Sequence, residues 1–363
     1  MVLFHETAAP ASPPVVAGDP DEQPLLAPVT PGMSWDAIHA MSQTPLRAPT
    51  DPVTTIRRTA TIRRGTRMIK LLSQRQLSAY LHGRRPSGFC YREHDLTLLR
   101  GSADLPLLVG DAMPADGRGG QAVAYGLRWR AIDPADYHIP FADGGPDEPA
   151  YSGLRDISPH DRLGPPVLGT GFAPSQQHLV PEFVTADLAD LPMPAGTSLV
   201  AFTPDGAEVT LYLYIPEQRA WTRMFGPHYR HLLAGLPEVP TEQEYVQSGT
   251  DHNGGSALLG RYRGETYETV ADPPHEFRVL AKARAARYAV DSVARRTRYV
   301  RWRDIECTVV RVEGDWVRVR PTRPDRNTPS ALAAQCVERG VYETWAPAGE
   351  ITNLDDRDLI YTL

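Results

Sequence analysis

The chain has 363 residues, a formal net charge of -6 at pH 7 and 41% apolar residues. That length and apolar content are sufficient for two domains with buried cores. The acidic balance argues against nucleic acid as the partner, because phosphate-binding surfaces carry a basic excess. The sequence also lacks the run of about 18 apolar residues that a membrane-spanning helix needs.

The cysteines and the first residues predict a cytoplasmic protein. Cys90, Cys307 and Cys336 are widely spaced and form no CxxC pair, which fits a reducing compartment and does not make a zinc site. The opening MVLFHETAAPASPP lacks the basic and apolar regions of a signal peptide, although export by another route stays open. We interpret the scarcity of lysine and the abundance of arginine, proline and alanine as an actinobacterial-type composition.

The first two thirds of the chain divide into a tail and a mixed domain. Residues 1–65 contain prolines every few positions, which predicts a disordered tail. Residues 66–250 are predicted to form an α+β domain that begins with an amphipathic helix over 68–81. Its central feature is a hairpin over 199–224, in which Pro204-Asp205-Gly206 forms the first turn and Pro216-Glu217-Gln218 the second.

Residues 256–363 are predicted to be mainly antiparallel β. The alternation in CTVVRV, the turn EGD and the return strand WVRVR indicate a hairpin with valines on one face and arginines on the other. Its pattern resembles that of a small SH3-like or Tudor-like barrel. We expect Trp316 in the core of this barrel. This stretch is also partly similar to the 199–224 hairpin. The similarity fits a weak internal repeat and a chance alignment of two β-meanders equally well.

Aromatic and basic residues alternate in this C-terminal unit, and they are the candidate partner-binding residues. Four of them define the predicted face: Trp302, Arg318, Arg320 and Trp345. Indole rings and guanidinium groups bind partners through stacking and paired hydrogen bonds. The alternative is a tryptophan-filled core with a solvated arginine face, which the acidic LDDRDL segment near the C-terminus would neutralise within the same chain.

One stretch resembles a known enzyme family. LTLLRG at residues 96–101 is similar to the first strand of ADP-ribosyltransferases, in which an arginine followed by glycine holds the dinucleotide phosphates. The resemblance implies Arg100 as that clamp, Thr170 or Ser175 as the polar strand position, Glu208 as the catalytic carboxylate and NAD as the cofactor. It covers about a tenth of the chain, and Ala207-Glu208-Val209 lacks the second acidic or amide residue of the family's paired motif.

Other catalytic patterns are absent from the sequence. Arg92-Glu93-His94-Asp95 and His160-Asp161 carry metal-ligand residue types, but turn residues surround them and no metal site is predicted. Phosphate-binding, zinc-protease and serine-hydrolase motifs are all missing. The sequence therefore favours a non-catalytic interaction or accessory protein of a bacterial cytoplasm, with toxin, immunity or secretion systems as its setting. Its partner is predicted to be another protein, with no cofactor, and an NAD-cleaving effector is the alternative.

Overall fold

The computed structural model describes thirteen stretches of the chain and the single residue 236. The stretches are residues 62–72, 74–82, 88–90, 124–138, 172–175, 178–181, 184–203, 207–234, 243–248, 255–281, 287–325, 327–338 and 341–363. The predicted tail therefore lies outside the described residues except for residues 62–65. The same holds for the turn at 204–206, for residues 92–95 and for residues 160–161.

The first part of the described chain contains one α-helix, α1 (Gln74–Leu81), and twelve strands. The strands are β1 (Arg67–Leu72), β2 (Gly88–Phe89), β3 (Ala124–Arg130), β4 (Tyr137–His138), β5 (Phe172–Ser175), β6 (His178–Pro181), β7 (Val184–Thr185), β8 (Leu191–Pro192), β9 (Ser198–Phe202), β10 (Glu208–Ile215), β11 (Ala220–Arg223) and β12 (Tyr245–Gln247). Short 3-10 helices span Pro134–Asp136, Ala186–Leu188 and Pro227–Leu233.

The second part contains nine strands and one short α-helix, α2 (Thr328–Leu332). The strands are β13 (Ala257–Tyr262), β14 (Glu265–Asp272), β15 (Glu276–Val279), β16 (Ser292–Trp302), β17 (Ile305–Glu313), β18 (Trp316–Pro321), β19 (Gln335–Glu338), β20 (Val341–Pro347) and β21 (Thr352–Tyr361). A 3-10 helix spans Ala348–Glu350. The protein is thus mostly antiparallel β with few helices, as predicted.

The predicted central hairpin lies in the middle of a six-stranded antiparallel sheet with the order β1-β3-β9-β10-β11-β12. Strand β9 is buried along its whole length, since it pairs with β3 on one side and β10 on the other. Leu127, Leu199 and Trp221 lie in its core with side chains that are at most 2% exposed. The strand assignments of the 199–224 prediction are confirmed.

The helix predicted over 68–81 is wrong in its first half. Residues 67–72 form β1, which pairs with β3 from Arg67↔Arg130 to Leu72↔Tyr125, and only Gln74–Leu81 is helical. Met68, Ile69 and Leu72 are all buried. Strand β1 lies at the edge of the sheet, but both of its faces are buried. Apolar side chains on both faces of such a strand imitate helical spacing when they are read along the sequence alone.

The second sheet is a ladder in the order β15-β14-β13-β16-β17-β18-β20-β19, with β21 paired to the other edge of β16. Strand β16 pairs with β13 through Ser292–Arg296 and with β17 through Tyr299–Trp302. In the described part of the chain this ladder does not close on itself, so the predicted SH3-like or Tudor-like barrel is not the architecture found. The antiparallel hairpin of β17 and β18 is confirmed.

Three buried ion pairs connect the second sheet to the first part of the chain. Arg295 Nε lies 2.8 Å from Asp136 Oδ1, Arg320 Nη1 lies 2.7 Å from Asp190 Oδ1, and Arg278 Nη2 lies 2.5 Å from Glu217 Oε1. All six side chains are at most 5% exposed. Buried ion pairs therefore join residues on the two sides of the predicted boundary at 251–255. The division into two domains stays a prediction.

None of the helices in the described stretches has both the length and the apolar character required to span a lipid bilayer.

Candidate binding cleft

Three of the four predicted partner-binding residues line one cleft of about 340 Å³ in the second sheet. Trp302, Arg318 and Trp345 are the three, and Trp316 lies on the same cleft. This volume falls within the range of about 300–1,000 Å³ that is typical of ligand sites. The described structure thus brings together residues that are as much as 43 positions apart in the sequence.

Strand pairing explains why these side chains meet. Strands β18 and β20 are antiparallel neighbours, and Arg318 is the direct partner of Trp345 while Trp316 is the partner of Pro347. Directly paired residues project from the same face of a sheet, and the face alternates with every residue. Trp316, Arg318 and Trp345 therefore share one face, while Val317 and Val319 project into the core on the other.

A two-residue turn places the third indole. Trp302 ends β16 and Ile305 begins β17, so that Arg303 and Asp304 alone make the reversal. Their φ values are 49° and 61°, as a type I′ hairpin turn requires, although neither residue is a glycine. The turn brings the guanidinium of Arg303 over the ring of Trp302, with 4.4 Å between Arg303 Cζ and the ring centroid.

The three indoles are not equally accessible. Trp302 is only 3% exposed, and its Nε1 donates a hydrogen bond of 2.8 Å to Glu350 Oε2. Trp345 is half-buried, whereas Trp316 is 50% exposed. The prediction of Trp316 in the core is wrong. Its side chain projects in phase with Arg318 and away from the neighbouring valines, and this alternation was visible in the sequence.

The fourth predicted residue, Arg320, does not lie on the cleft surface. It is 3% exposed, and its guanidinium donates to Asp190, to the carbonyl oxygen of Leu188 and to Glu343. Burial by itself lowers the pKa of Arg320, but the attraction of nearby groups, led by Asp190, raises that pKa well above its usual range. Arg320 is thus a permanently charged interior residue, and its placement on a solvated arginine face is wrong.

Glu343 connects the cleft to this buried charge. Its Oε2 lies 2.6 Å from Arg318 Nε, and its Oε1 lies 2.6 Å from Arg320 Nη2. Glu343 and Glu350 also line the cleft, and neither was predicted from the sequence. The position of Glu343, two residues before Trp345 on the same face of a strand, was the available signal.

The acidic C-terminal segment is paired within the chain, as one alternative predicted, but with different arginines. Asp356 and Asp358 bind Arg298 and Arg296 through two hydrogen bonds each. These arginines lie on β16 directly opposite the aspartates on β21. The arginine predicted to be neutralised in the cleft, Arg318, binds Glu343 instead.

The residues implied by the ADP-ribosyltransferase resemblance are not brought together in the stretches that the structure describes. Arg100 and Thr170 lie outside them, and of Ser175 only its place at the end of β5 is described. Glu208 lies in β10, where its Oε1 accepts a hydrogen bond of 2.7 Å from Arg128 Nε and its Oε2 contacts Arg128 Nη2. Both oxygens of this carboxylate are therefore engaged by Arg128 of β3, which lies two strands away in the same sheet.

The described residues contain no group of three or more His, Cys, Asp or Glu side chains placed to hold a metal ion. The carboxylates of the cleft are held by arginine or indole donors. The surface of the aromatic rings is therefore the main part of the cleft that can contact a ligand. Comparisons of the chain with protein-family models, with curated proteins and with solved structures find no match.

Proposed function

We propose that this chain is a non-catalytic binding protein that recognises another protein through the cleft lined by Trp302, Trp316 and Trp345. The observation that carries this proposal is the convergence of three indoles and the Arg318 guanidinium on one concave surface. Tryptophan and arginine are the residue types most enriched among the energetically dominant contacts of protein interfaces. Trp316 adds a half-exposed ring that a partner can cover.

The polar groups of the cleft favour binding over chemistry. A general acid or base must be able to exchange a proton with a substrate. Glu343 is instead held between Arg318 and Arg320, and Glu350 accepts a hydrogen bond from the indole N–H of Trp302. These bonds orient the rings and the guanidinium. The cleft is thus built as a pre-organised surface, which lowers the entropy that binding must overcome.

The partner that fits this surface is an extended segment containing prolines. Grooves lined by aromatic rings bind polyproline II segments because such segments are already ordered and present flat pyrrolidine faces for packing. Arg318 supplies a donor at the same surface for a backbone carbonyl or a carboxylate of the segment. The toxin, immunity or secretion setting and the bacterial cytoplasm stay predictions, as does the absence of nucleic acid and membrane partners.

A peptide-binding experiment tests the proposal on the full chain. The probes are two synthetic peptide libraries of about twelve residues, one with prolines three positions apart and a matched one with alanine at each of those positions. We expect saturable binding of proline peptides by fluorescence anisotropy, with weaker binding of their alanine counterparts. Trp345→Ala and Trp316→Ala should each weaken binding about thirtyfold, the loss that corresponds to about 2 kcal/mol at an interface hot spot.

The matched control is Tyr245→Ala. Tyr245 is an exposed aromatic residue on β12 of the first sheet, away from the cleft, and its loss should leave peptide affinity unchanged. Thermal unfolding of each variant checks that the fold is retained. The proposal is wrong if no proline peptide binds, or if the cleft variants bind as tightly as Tyr245→Ala does.

A further inference from the structure

The chain before residue 62 lies outside the described residues, and its sequence contains the kind of segment that the cleft is proposed to bind. Pro10-Ala11-Ser12-Pro13 and Pro28-Val29-Thr30-Pro31 each place two prolines three positions apart. A polyproline II helix has three residues per turn, so that the two prolines of such a pair lie on one face. The protein thus carries two candidate ligands for its own cleft.

The described chain begins beside one end of strand β16. The guanidinium of Arg64 donates a hydrogen bond to the carbonyl oxygen of Thr362. Thr362 directly follows Tyr361, the partner of Val293 near the start of β16. Trp302, which lines the cleft, ends the same strand. Nine strand positions separate Val293 from Trp302, which corresponds to about 30 Å.

The preceding chain is long enough to cross this distance. Pro31 lies 31 positions and Pro13 lies 49 positions before Ile62, the first described residue. Flexible chains of these lengths have r.m.s. end-to-end distances of about 30 Å and about 40 Å, which are close to the span. A third pair, Pro49 and Pro52, lies too near, because the ten residues that follow it reach about 33 Å only when fully extended.

We propose that residues 10–31 occupy the cleft of the same chain and compete there with an external partner. This inference rests on the proposed function, because it takes the proline preference of the cleft from it. The paired prolines pack against the rings of Trp316 and Trp345, as those of an external segment would. Arg303 is exposed and lines the cleft, and residues 10–31 contain three acidic residues that can pair with it and no basic residue.

Attachment to the same chain makes even a weak contact effective. A flexible linker that matches the span presents its segment at an effective concentration of about 1 mM. A segment with a Kd of about 100 µM would therefore fill about nine-tenths of the clefts, and an external peptide would bind about tenfold more weakly than to an open cleft. Only a partner that binds more tightly, or is more abundant, displaces such a segment.

Peptide binding to the full chain tests the inference. The probe is a fluorescently labelled synthetic peptide of residues 22–33, and anisotropy measures its affinity. In the open variant all four prolines of the two pairs are replaced by alanine: Pro10→Ala/Pro13→Ala/Pro28→Ala/Pro31→Ala. We expect saturable binding of the probe to the open variant and about tenfold weaker binding to wild type, because the wild-type cleft is already occupied.

The matched control removes the same number of prolines from the same part of the chain. It replaces four prolines that belong to no pair with a spacing of three: Pro14→Ala/Pro20→Ala/Pro24→Ala/Pro45→Ala. This control variant should bind the probe as weakly as wild type does. Thermal unfolding checks that all three proteins have the same fold.

A second measurement reports the contact itself. Nuclear magnetic resonance of the full chain with 15N-labelled tryptophan observes the indole N–H groups. In the open variant the signals of Trp316 and Trp345 should shift relative to wild type. Those of Trp129 and Trp221, which are buried in the first sheet, should stay in place. The shifts should not depend on protein concentration, because the contact lies within one chain.

The outcomes separate this inference from the proposed function. Equal binding of the probe to wild type and the open variant overturns the inference, as does the absence of any binding to the open variant. The proposed function then still stands if other proline peptides bind at the cleft, and fails if none does. Unchanged signals of Trp316 and Trp345 also overturn the inference. So do shifts that appear only at high protein concentration, which would show that the segment binds another copy.

Discussion

The carboxylate of Glu343 binds one arginine of the cleft and one arginine of the protein interior. Its two oxygens bind Arg318, which lines the cleft, and Arg320, which is buried. Arg320 also binds Asp190, so that two cations and two anions form a balanced cluster. Isolated charges are costly in a protein interior, and each member of the cluster is tolerated because the others compensate it.

Removal of this carboxylate should destabilise the protein strongly. We expect Glu343→Ala to lower the free energy of unfolding by about 3–5 kcal/mol, because it leaves a buried arginine under-compensated. Urea-induced unfolding measures the loss. The control Glu313→Ala removes an exposed partner of Arg311 and should cost less than about 1 kcal/mol. Equal losses in the two variants would show that the cluster has no special role.

At the scale of elements, the alternation of side chains along strands decides which residues form the cleft and which form the core. Strand β18 projects Trp316 and Arg318 to one side and Val317 and Val319 to the other. On β16 and β21 the same alternation aligns two arginines with two aspartates on a solvent-exposed face. Each ladder thus combines an apolar face that stabilises the sheet with a polar face that is available to solvent or to partners.

The arginine–aspartate rows of β16 and β21 should contribute to acid sensitivity. Hydrogen bonds from Arg298 and Arg296 hold the pKa of Asp356 and Asp358 below the usual value of 3.8. A depressed pKa in the folded state stabilises the fold above pH 3.8, and this stabilisation is lost as the pH falls through the depressed pKa. Exposure limits the effect of each pair to less than about 1 kcal/mol.

The measurement is the urea midpoint at neutral pH and at about pH 3. The variant Arg296→Gln/Arg298→Gln should be less stable than wild type at neutral pH, and the difference should shrink in acid as the wild type loses its ion pairs. A constant difference between the two proteins at both pH values would contradict the electrostatic explanation.

At the scale of the whole molecule, buried charges connect the two parts of the chain. The described residues beyond the boundary at 251–255 contain three buried arginines: Arg278, Arg295 and Arg320. Each is paired with an acid from the first part, namely Glu217, Asp136 and Asp190. Asp136 is further held by Tyr361 Oη, which donates to both of its oxygens at 2.6 and 2.8 Å. Separation of the two parts would expose these three arginines to solvent or leave them without their acidic partners from the first part.

We therefore expect the described body of the protein to unfold in one cooperative thermal transition. Differential scanning calorimetry measures this, with equal calorimetric and van't Hoff enthalpies as the criterion. Asp136→Ala should lower stability by about 3–5 kcal/mol, because it leaves Arg295 buried without its partner. Two well-separated transitions in the wild-type chain would instead favour independently stable domains at 66–250 and 256–363.

The sequence by itself determined the strands that depend on short-range signals. The 199–224 hairpin and the β17–β18 hairpin follow from alternating residues and from turn residues, which act over a few positions. It also identified Trp302, Arg318 and Trp345 as members of one surface. The assignment of Trp316 to the core was wrong although its alternation with Val317 placed it on the arginine face of the strand. Arg320 lies on that same face, but Leu188 and Asp190, which are distant in the sequence, cover it.

Only the tertiary structure decided the features that depend on contacts between distant residues. It made residues 67–72 an edge strand of the first sheet through pairing with β3, and it buried Arg320 through Asp190, which lies 130 positions away. It also left the second sheet open, with β21 at an exposed edge. Such contacts arise when segments that are distant in the sequence bury apolar surface together. The stability of a buried charge or of a strand edge then depends on which residues of other segments pack against it.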